Sequence, residues 1–484
     1  MISMLKKWIA AVLLVAGAIN GASARENADL VIRGATIVDV AAGKLIEGHA
    51  IAVRGGDIIA VDSEKVIDRR YQPSRTIDAA GQYVMPGLWD MHVHFGGGEA
   101  LIEENKALLP LYLAYGITSV RDCAADISNA VLRWRAQVAA GELVGPNIYT
   151  SGPKLEGPKP LWKGTIEVDS PAEVDAALDR LQAMRVDFVK ITDNTLRPEI
   201  FLYALKAAKA RGLKTSAHIP YALTVEQAVA GGLSSVEHGD YLIKAGSTEE
   251  VQISKDYAEK KLTYAQASDK LVDTFDPALA RKEFRKLGSL GLYVTPTQNM
   301  GRILAYLDRE DHSKDAALSL IGPGLRETYN WRVERAAKAD AAAIERRHRK
   351  YELSATLLPL MRDAGISILA GTDAGYLNSF NYPGQGLHDE LARFVESGLT
   401  PTEALHTSVI NGPKFLGKQA RYGAIAPGKA ADILLLGANP LADIAATRDI
   451  RAVVRAGAVY DRATLDGLLA SARENAAKPV TEIK

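Results

Sequence analysis

The stretch Asp90-Met91-His92-Val93-His94-Phe95, "DMHVHF", closes the apolar run "YVMPGLW" of residues 83–89. In a strand, side chains at i and i+2 point to the same side, so His92 and His94 converge on one point. Converging imidazoles suit a divalent metal, because neutral histidine nitrogens are common metal ligands. Taken alone, such a pair is more often two polar residues closing a strand. Its meaning rests on what the rest of the chain places beside it.

Working outward, apolar runs alternate with helical patterns such as "EVDAALDRLQAMR" (173–185) and "PEIFLYALKAAKARG" (198–212). That alternation is the signature of βα units. The candidate strands are "GLWDMHVHF", "ITSVRDCA", "NIYTSGPK", "DFVKIT", "KTSAHI", "SSVEHG", "LYVTPTQ" and "SILAGTDA". Eight such units predict an α/β fold of the (β/α)8, or TIM, barrel kind, with its active site at the C-terminal ends of the strands. The barrel is expected over residues 85–419. Between the seventh and eighth units lies an oversized helical, charged insertion of about 300–360, which includes Tyr306, Tyr329 and Trp331. Placed on the active-site face it reads as a lid or an oligomer contact.

At both ends the texture changes. "ADLVIRGATIVDV", "HAIAVRGGDIIAVD" and "RTIDAAGQYVMPG" are short β-branched runs separated by turns, and "GAIAPGKAADILLLG" and "DIRAVVRAGAVYD" repeat the pattern. Residues 25–84 and 420–484 are therefore expected to form one small, discontinuous β-sandwich. Ahead of it, residues 1–24 carry Lys6 and Lys7, an apolar run and Ala22-Ser23-Ala24, the pattern of a removable secretory signal. A periplasmic or secreted protein is expected, with no stable membrane insertion after cleavage. Cys123 is the single cysteine, so no internal disulfide can form. With 58 basic and 58 acidic side chains the net charge is zero, which gives no reason to expect nucleic acid as a partner. A small-molecule substrate is expected, and a homo-oligomer remains open.

Polar residues recur where the strands end: His92 and His94, Lys190, His218, His238 and Asp373. Each alone has a structural explanation, Lys190 reaching out of the barrel mouth or Asp373 capping a turn. Together, on one rim, they point to a metal centre.

These pieces carry a resemblance. "PGLWDMHVH", "GITSVRD", "DFVKI", "SAHI", "SSVEHG", "AGTDAG", "LTPTEALHTSVINGPKFLG" and "GAIAPGKAADILLL" resemble the metal-dependent amidohydrolase superfamily over the mature length of the chain. Within it, the chain is most similar to the imidazolonepropionase-related branch, which includes Xaa-Pro dipeptidases and carboxypeptidases acting on N-acylated amino acids. The resemblance implies two divalent ions, zinc first. His92, His94 and Asp373 would hold the more buried one, and His218 and His238 the second. It implies a carboxylated Lys190, whose carbamate would bridge the metals where an ammonium would repel them. A hydroxide shared by the two metals would attack an amide bond, and Asp373 would carry its proton to the leaving amine.

Deaminase relatives usually carry a Glu three residues after the strand-five histidine, where this chain has Tyr221. That departure favours a hydrolase, and Tyr221 is a candidate donor to the oxyanion. Arg121 is a candidate partner for a substrate carboxylate, and His388 a candidate pocket residue. Trp162 and Lys163 lie beyond the third strand on the same face. The leading expectation is a binuclear hydrolase of a dipeptide or N-acyl amino acid. A hydrolase of cyclic amides, lactones or other esters is the alternative, followed by a mononuclear deaminase and a non-catalytic binding protein.

Overall fold

Burial on both faces decides how the central strands pair. β1 (Leu88–His94) is buried from Leu88 through Val93, and β2 (Ile117–Asp122) along its whole length. Strands covered on both faces belong to parallel sheets flanked by helices. A computed structural model describes residues 25–123 and 126–478. The leader read at residues 1–24 lies outside the described residues.

The remaining central strands are β3 (Asn147–Thr150), β4 (Val189–Ile191), β5 (Thr215–Ala217), β6 (Ser235–Glu237), β7 (Tyr293–Thr295) and β8 (Ser367–Ile368). All eight coincide with the stretches expected from the sequence, and every pairing among them is parallel. They form two arcs. One runs β3-β2-β1 and ends on the short strand Ala374–Gly375; the other runs from β4 through β8, with Leu155–Glu156 beside β4. Single backbone bonds join the arcs: Asp187 N–H donates to the Thr150 carbonyl at 2.9 Å, and Met91 N–H to the Ala370 carbonyl at 2.8 Å.

The chain's two ends build two further sheets. One has four strands, all from residues 26–78. The other has six and mixes the ends, with Ile433–Leu436 antiparallel to Tyr83–Pro86. Leu30, Ile32, Ile51 and Val53 of the first share an apolar cluster with Ile37, Val84, Ile433, Leu435 and Val454 of the second. The last helix, Arg462–Ala476, begins on an Asp461 cap and packs against helix Leu109–Ala114, beside the parallel strands. Sequence position alone had grouped it with the terminal sheets.

Two helical insertions follow β6 and β7. The second was expected, and holds helices Gln298–Ala305, Pro323–Glu327, Asn330–Ala337 and Ala341–Asp363. The first was not distinguished from ordinary connections. Its helices Tyr264–Asp273 and Pro277–Ser289 pack on the long helix Ala341–Asp363, partly through Arg346–Asp269 and Arg349–Asp273 ion pairs, and helix Glu250–Ala258 packs on Tyr264–Asp273. Among the described residues no helix is long and apolar enough to cross a membrane.

Gly375 allows the last short strand to lie against β1. Its φ is +137°, and a Cβ there would stand 2.0 Å from the His94 carbonyl oxygen. Gly375→Ala is expected to cost about 1–3 kcal/mol in thermal or urea unfolding. An unchanged midpoint would mean that Ala374–Gly375 can move off β1 freely.

Candidate metal centre

The C-terminal ends of the parallel strands bring donor atoms from distant parts of the chain together. His92 Nε2 lies 3.1 Å from His94 Nε2 and 3.2 Å from Asp373 Oδ1, and His94 Nε2 lies 2.8 Å from the same oxygen. Ligands around one tetrahedral metal at ordinary bond lengths stand about 3.3 Å apart, so this spacing fits a first ion. His238 joins them: donor atoms of His92, His238 and Asp373 all lie within 4.8 Å of one another. Its ring centroid is 5.3 Å from that of His92 and 4.9 Å from that of His218.

The protonation states suit the same purpose. Burial lowers His94 to about 4 and His238 to about 3, and it drives His218 down as well, with Lys190 adding to the effect. These imidazoles are therefore neutral at pH 7, the form in which histidine coordinates metals. Lys190 is 1% exposed, and its Nζ has no hydrogen-bond partner among the described residues. Burial pushes it toward the neutral amine against the attraction of Glu237. A buried amine without a partner is costly as a charge, and the neutral form is the one that adds carbon dioxide. The residues present therefore fit a metal pair with a carboxylated lysine.

Second-layer contacts set the ring orientations. His92 Nδ1–H donates to Glu237 Oε2 at 2.6 Å, which turns Nε2 toward His94 and Asp373. His218 Nδ1 stands 3.4 Å from Asp193 Oδ1, and His238 Nδ1 is 2.8 Å from the Thr297 hydroxyl. Such partners fix the tautomer and raise ligand basicity. The backbone is bent to the same end: His238, Asp373 and Thr297 all have positive φ, at 73°, 63° and 49°. Left-handed non-glycine residues store strain, and they cluster at functional sites.

Three expected roles change with the structure. Arg121 does not face a substrate. It is fully buried, donates to both Glu237 oxygens, the Thr295 hydroxyl and the Met91 carbonyl, and lies between the rings of Phe188 and Phe415. His388 does not line the pocket. Its Nε2–H donates to the Tyr115 carbonyl at 2.9 Å and its Nδ1 contacts the Thr447 hydroxyl, beside the terminal sheets. Tyr221 stands one ring back, because Tyr241 is the ring stacked on His218, at 5.7 Å, and Tyr221 meets Tyr241. Lys244 holds Tyr221 from behind, through its carbonyl and its ring face.

Glu237, Asp193, Thr297 and Tyr241 were missed. Glu237 directly precedes His238, where strand alternation turns it from the rim toward the interior, and its partners lie in other strands. Tyr241 belongs to the unexpected insertion after β6, and Asp193 sits just beyond β4.

Three imidazoles kept neutral by burial, His92 raised against burial by its carboxylate partners, and a buried lysine at the ends of parallel strands are the donor set of a metal-dependent hydrolase. The sequence profile of the amidohydrolase family matches residues 83–459, and the chain belongs to that family. It is an enzyme acting on carbon–nitrogen bonds. It is 26% identical to the ochratoxinase of Aspergillus niger over 480 residues, covering 87% of this chain and 85% of that one. It is 25% identical to the imidazolonepropionase of Chloroflexus aggregans, with 86% and 93% covered. A crystal structure of an Xaa-Pro dipeptidase with bound methionine shares the fold, at a TM-score of 0.63, 19% identity and 89% and 99% coverage.

Removing the carboxylate behind His218 tests the second layer. Asp193→Ala is expected to lower metal affinity by about 10- to 100-fold in a chelator competition. Unchanged affinity would leave Asp193 as a partner of Tyr241 only.

Proposed function

We propose that this protein is an exported, binuclear hydrolase that cleaves the amide bond of a dipeptide or N-acyl amino acid. One observation carries the reading: Lys190 is buried with no hydrogen-bond partner among the described residues, within electrostatic reach of His218, His238 and Asp373. A lysine there has a function only when its charge is removed or reversed. In the same reading the two arcs close as one (β/α)8 barrel. The reach of Arg121 from β2 to Glu237 in β6 and Thr295 in β7, through the interior, supports that closure. Residues 25–84 and 420–484, less the last helix Arg462–Ala476, make the sandwich, and residues 1–24 the cleaved leader of a periplasmic or secreted enzyme.

His92, His94 and Asp373 would hold one ion, His218 and His238 the other, and carboxylated Lys190 would lie between them. Divalent ions in these positions, zinc first, supply an activated water at neutral pH and a Lewis acid for the scissile carbonyl. The chain's own part is to orient and to move protons. Glu237, Asp193 and Thr297 keep three imidazoles aimed inward. Asp373 accepts the proton of the attacking water and delivers it to the leaving amine. Burial opposes its charge, yet hydrogen bonds from His92 and His94 hold it well below the usual carboxylate range. Those nitrogens cannot donate to Asp373 and bind a metal at once. The dipeptidase and ochratoxinase likenesses support an amide as the bond cleaved.

Purified with zinc and bicarbonate, the enzyme is expected to carry about two ions per chain and to hydrolyse members of a dipeptide and N-acyl amino acid library in preference to lactones. Lys190→Ala should be nearly inactive and regain part of its activity with short carboxylic acids. Full activity in that variant, or a fully active protein without metal, would overturn the proposal.

Asp373→Asn separates ligand from proton carrier. Metal content should fall modestly, while amide turnover drops by about 100-fold or more, and an ester with a good leaving group suffers less. Near wild-type amide turnover with metal in place would leave Asp373 as a ligand only.

A further inference from the structure

Lys154, four residues beyond β3, is the second buried lysine at this rim, at 6% exposure. It makes no hydrogen bond or ion pair with the described residues, and its Nζ lies over the face of Trp162, 4.8 Å from the ring centroid. A buried ammonium needs an anion. Burial, with Lys190 adding to it, lowers its ammonium to about 7, against the pull of three carboxylates, Glu156, Asp373 and Asp126. Each is committed elsewhere. Glu156 accepts from the Thr192 hydroxyl, the Asn194 amide and Thr195 N–H. Asp126 accepts from Gly97 N–H, and Asp373 is bonded to His92 and His94. Lys154 therefore has no anion of its own.

It lies within electrostatic reach of the metal centre: a charge on it helps to lower His94 and His218, and Lys190 repels it. Above it the loop after β3 meets the insertion after β7. Trp162 and Trp331 pack edge to face with centroids 6.1 Å apart. Trp331 is fixed by its Nε1–H to the Leu377 carbonyl, at 3.0 Å, and Arg332 reaches the same carbonyl and Asn378 Oδ1. Asn378 in turn donates to the carbonyl of Asp373. The insertion is thus tied to the loop that carries Asp373, and its tryptophan completes a roof over Lys154.

We propose that Lys154 is the specificity residue that anchors a carboxylate of the substrate beneath the Trp162–Trp331 pair. The enzyme then selects amides that carry a free carboxylate next to a flat apolar group. This rests on the amide-hydrolase reading and narrows its substrate class. The lysine supplies a charge-assisted bond and the two indoles supply apolar faces.

The test pairs substrates that differ only in charge, hippurate and its carboxamide, on the zinc-loaded enzyme with Lys154→Met and Lys154→Arg. The wild type should prefer hippurate in kcat/KM. Lys154→Met should shrink that preference by about 10- to 100-fold, and Lys154→Arg should recover most of it. Calorimetric binding of 3-phenylpropionate against 3-phenylpropanol reads the same subsite without turnover, and should show the same loss in Lys154→Met. If no amide is cleaved, the proposed function fails while the binding ratio still decides the anion site. A wild type that binds acid and alcohol equally, or a Lys154→Met protein that keeps the preference, overturns the proposal. So does a Lys154→Met protein that loses its metal, since Lys154 would then serve the metal centre itself.

Discussion

The ion pair of Arg121 with Glu237 is the contact on which the centre depends. Both side chains are fully buried, and the guanidinium lies 2.8–2.9 Å from both carboxylate oxygens. Ser216 and Ser235 hydroxyls donate to the same carboxylate, at 2.6 and 2.7 Å, and His92 takes its other oxygen. Removing one member of such a buried pair strands a charge, at a cost of about 3–5 kcal/mol. The pair binds β2, β5, β6 and β7 to the strand that carries the His-x-His motif. It sets the ring of His92 before any metal arrives.

From that point outward, the site is a set of backbone ends held in strained positions. Strands place side chains on alternate faces, so a rim residue can face the centre only if the chain turns sharply just beyond the strand. His238 and Asp373 make that turn with positive φ. Gly375 completes it by letting the backbone lie against the His94 carbonyl. The strain is tolerated because the neighbouring bonds are many: Asp373 N–H to the His92 carbonyl at 2.6 Å, His238 N–H to the Thr295 carbonyl at 2.9 Å.

The two insertions divide the surroundings of the centre. The one after β6 supplies Tyr241, Tyr257 and Tyr264, packed with Tyr221 on the His218 side. The one after β7 brings Trp331 over the opposite loop, against Trp162. The long helix Ala341–Asp363 joins them through Lys350, which pairs with Asp240 at 2.6 Å. The candidate ligands thus stand at strand ends, while the aromatic surroundings come from the inserted helices and the loop after β3.

The sequence by itself determined the eight parallel strands and the set of polar residues at their ends. Both are local: periodicity, β-branched runs and histidines at fixed offsets follow from neighbours in the chain. His92 and His94 converge because alternation in one strand requires it. What the tertiary structure alone decided is which polar groups meet across the fold. Arg121, which could have faced a substrate, turns inward because Glu237 waits for it 116 residues away. His388 is claimed by Tyr115 and Thr447. Lys154 is left as a buried amine without an ion pair among the described residues, because Glu156, Asp126 and Asp373 are each committed to other donors. No local pattern carries that information, since a charge is free or satisfied according to partners that folding alone brings into reach.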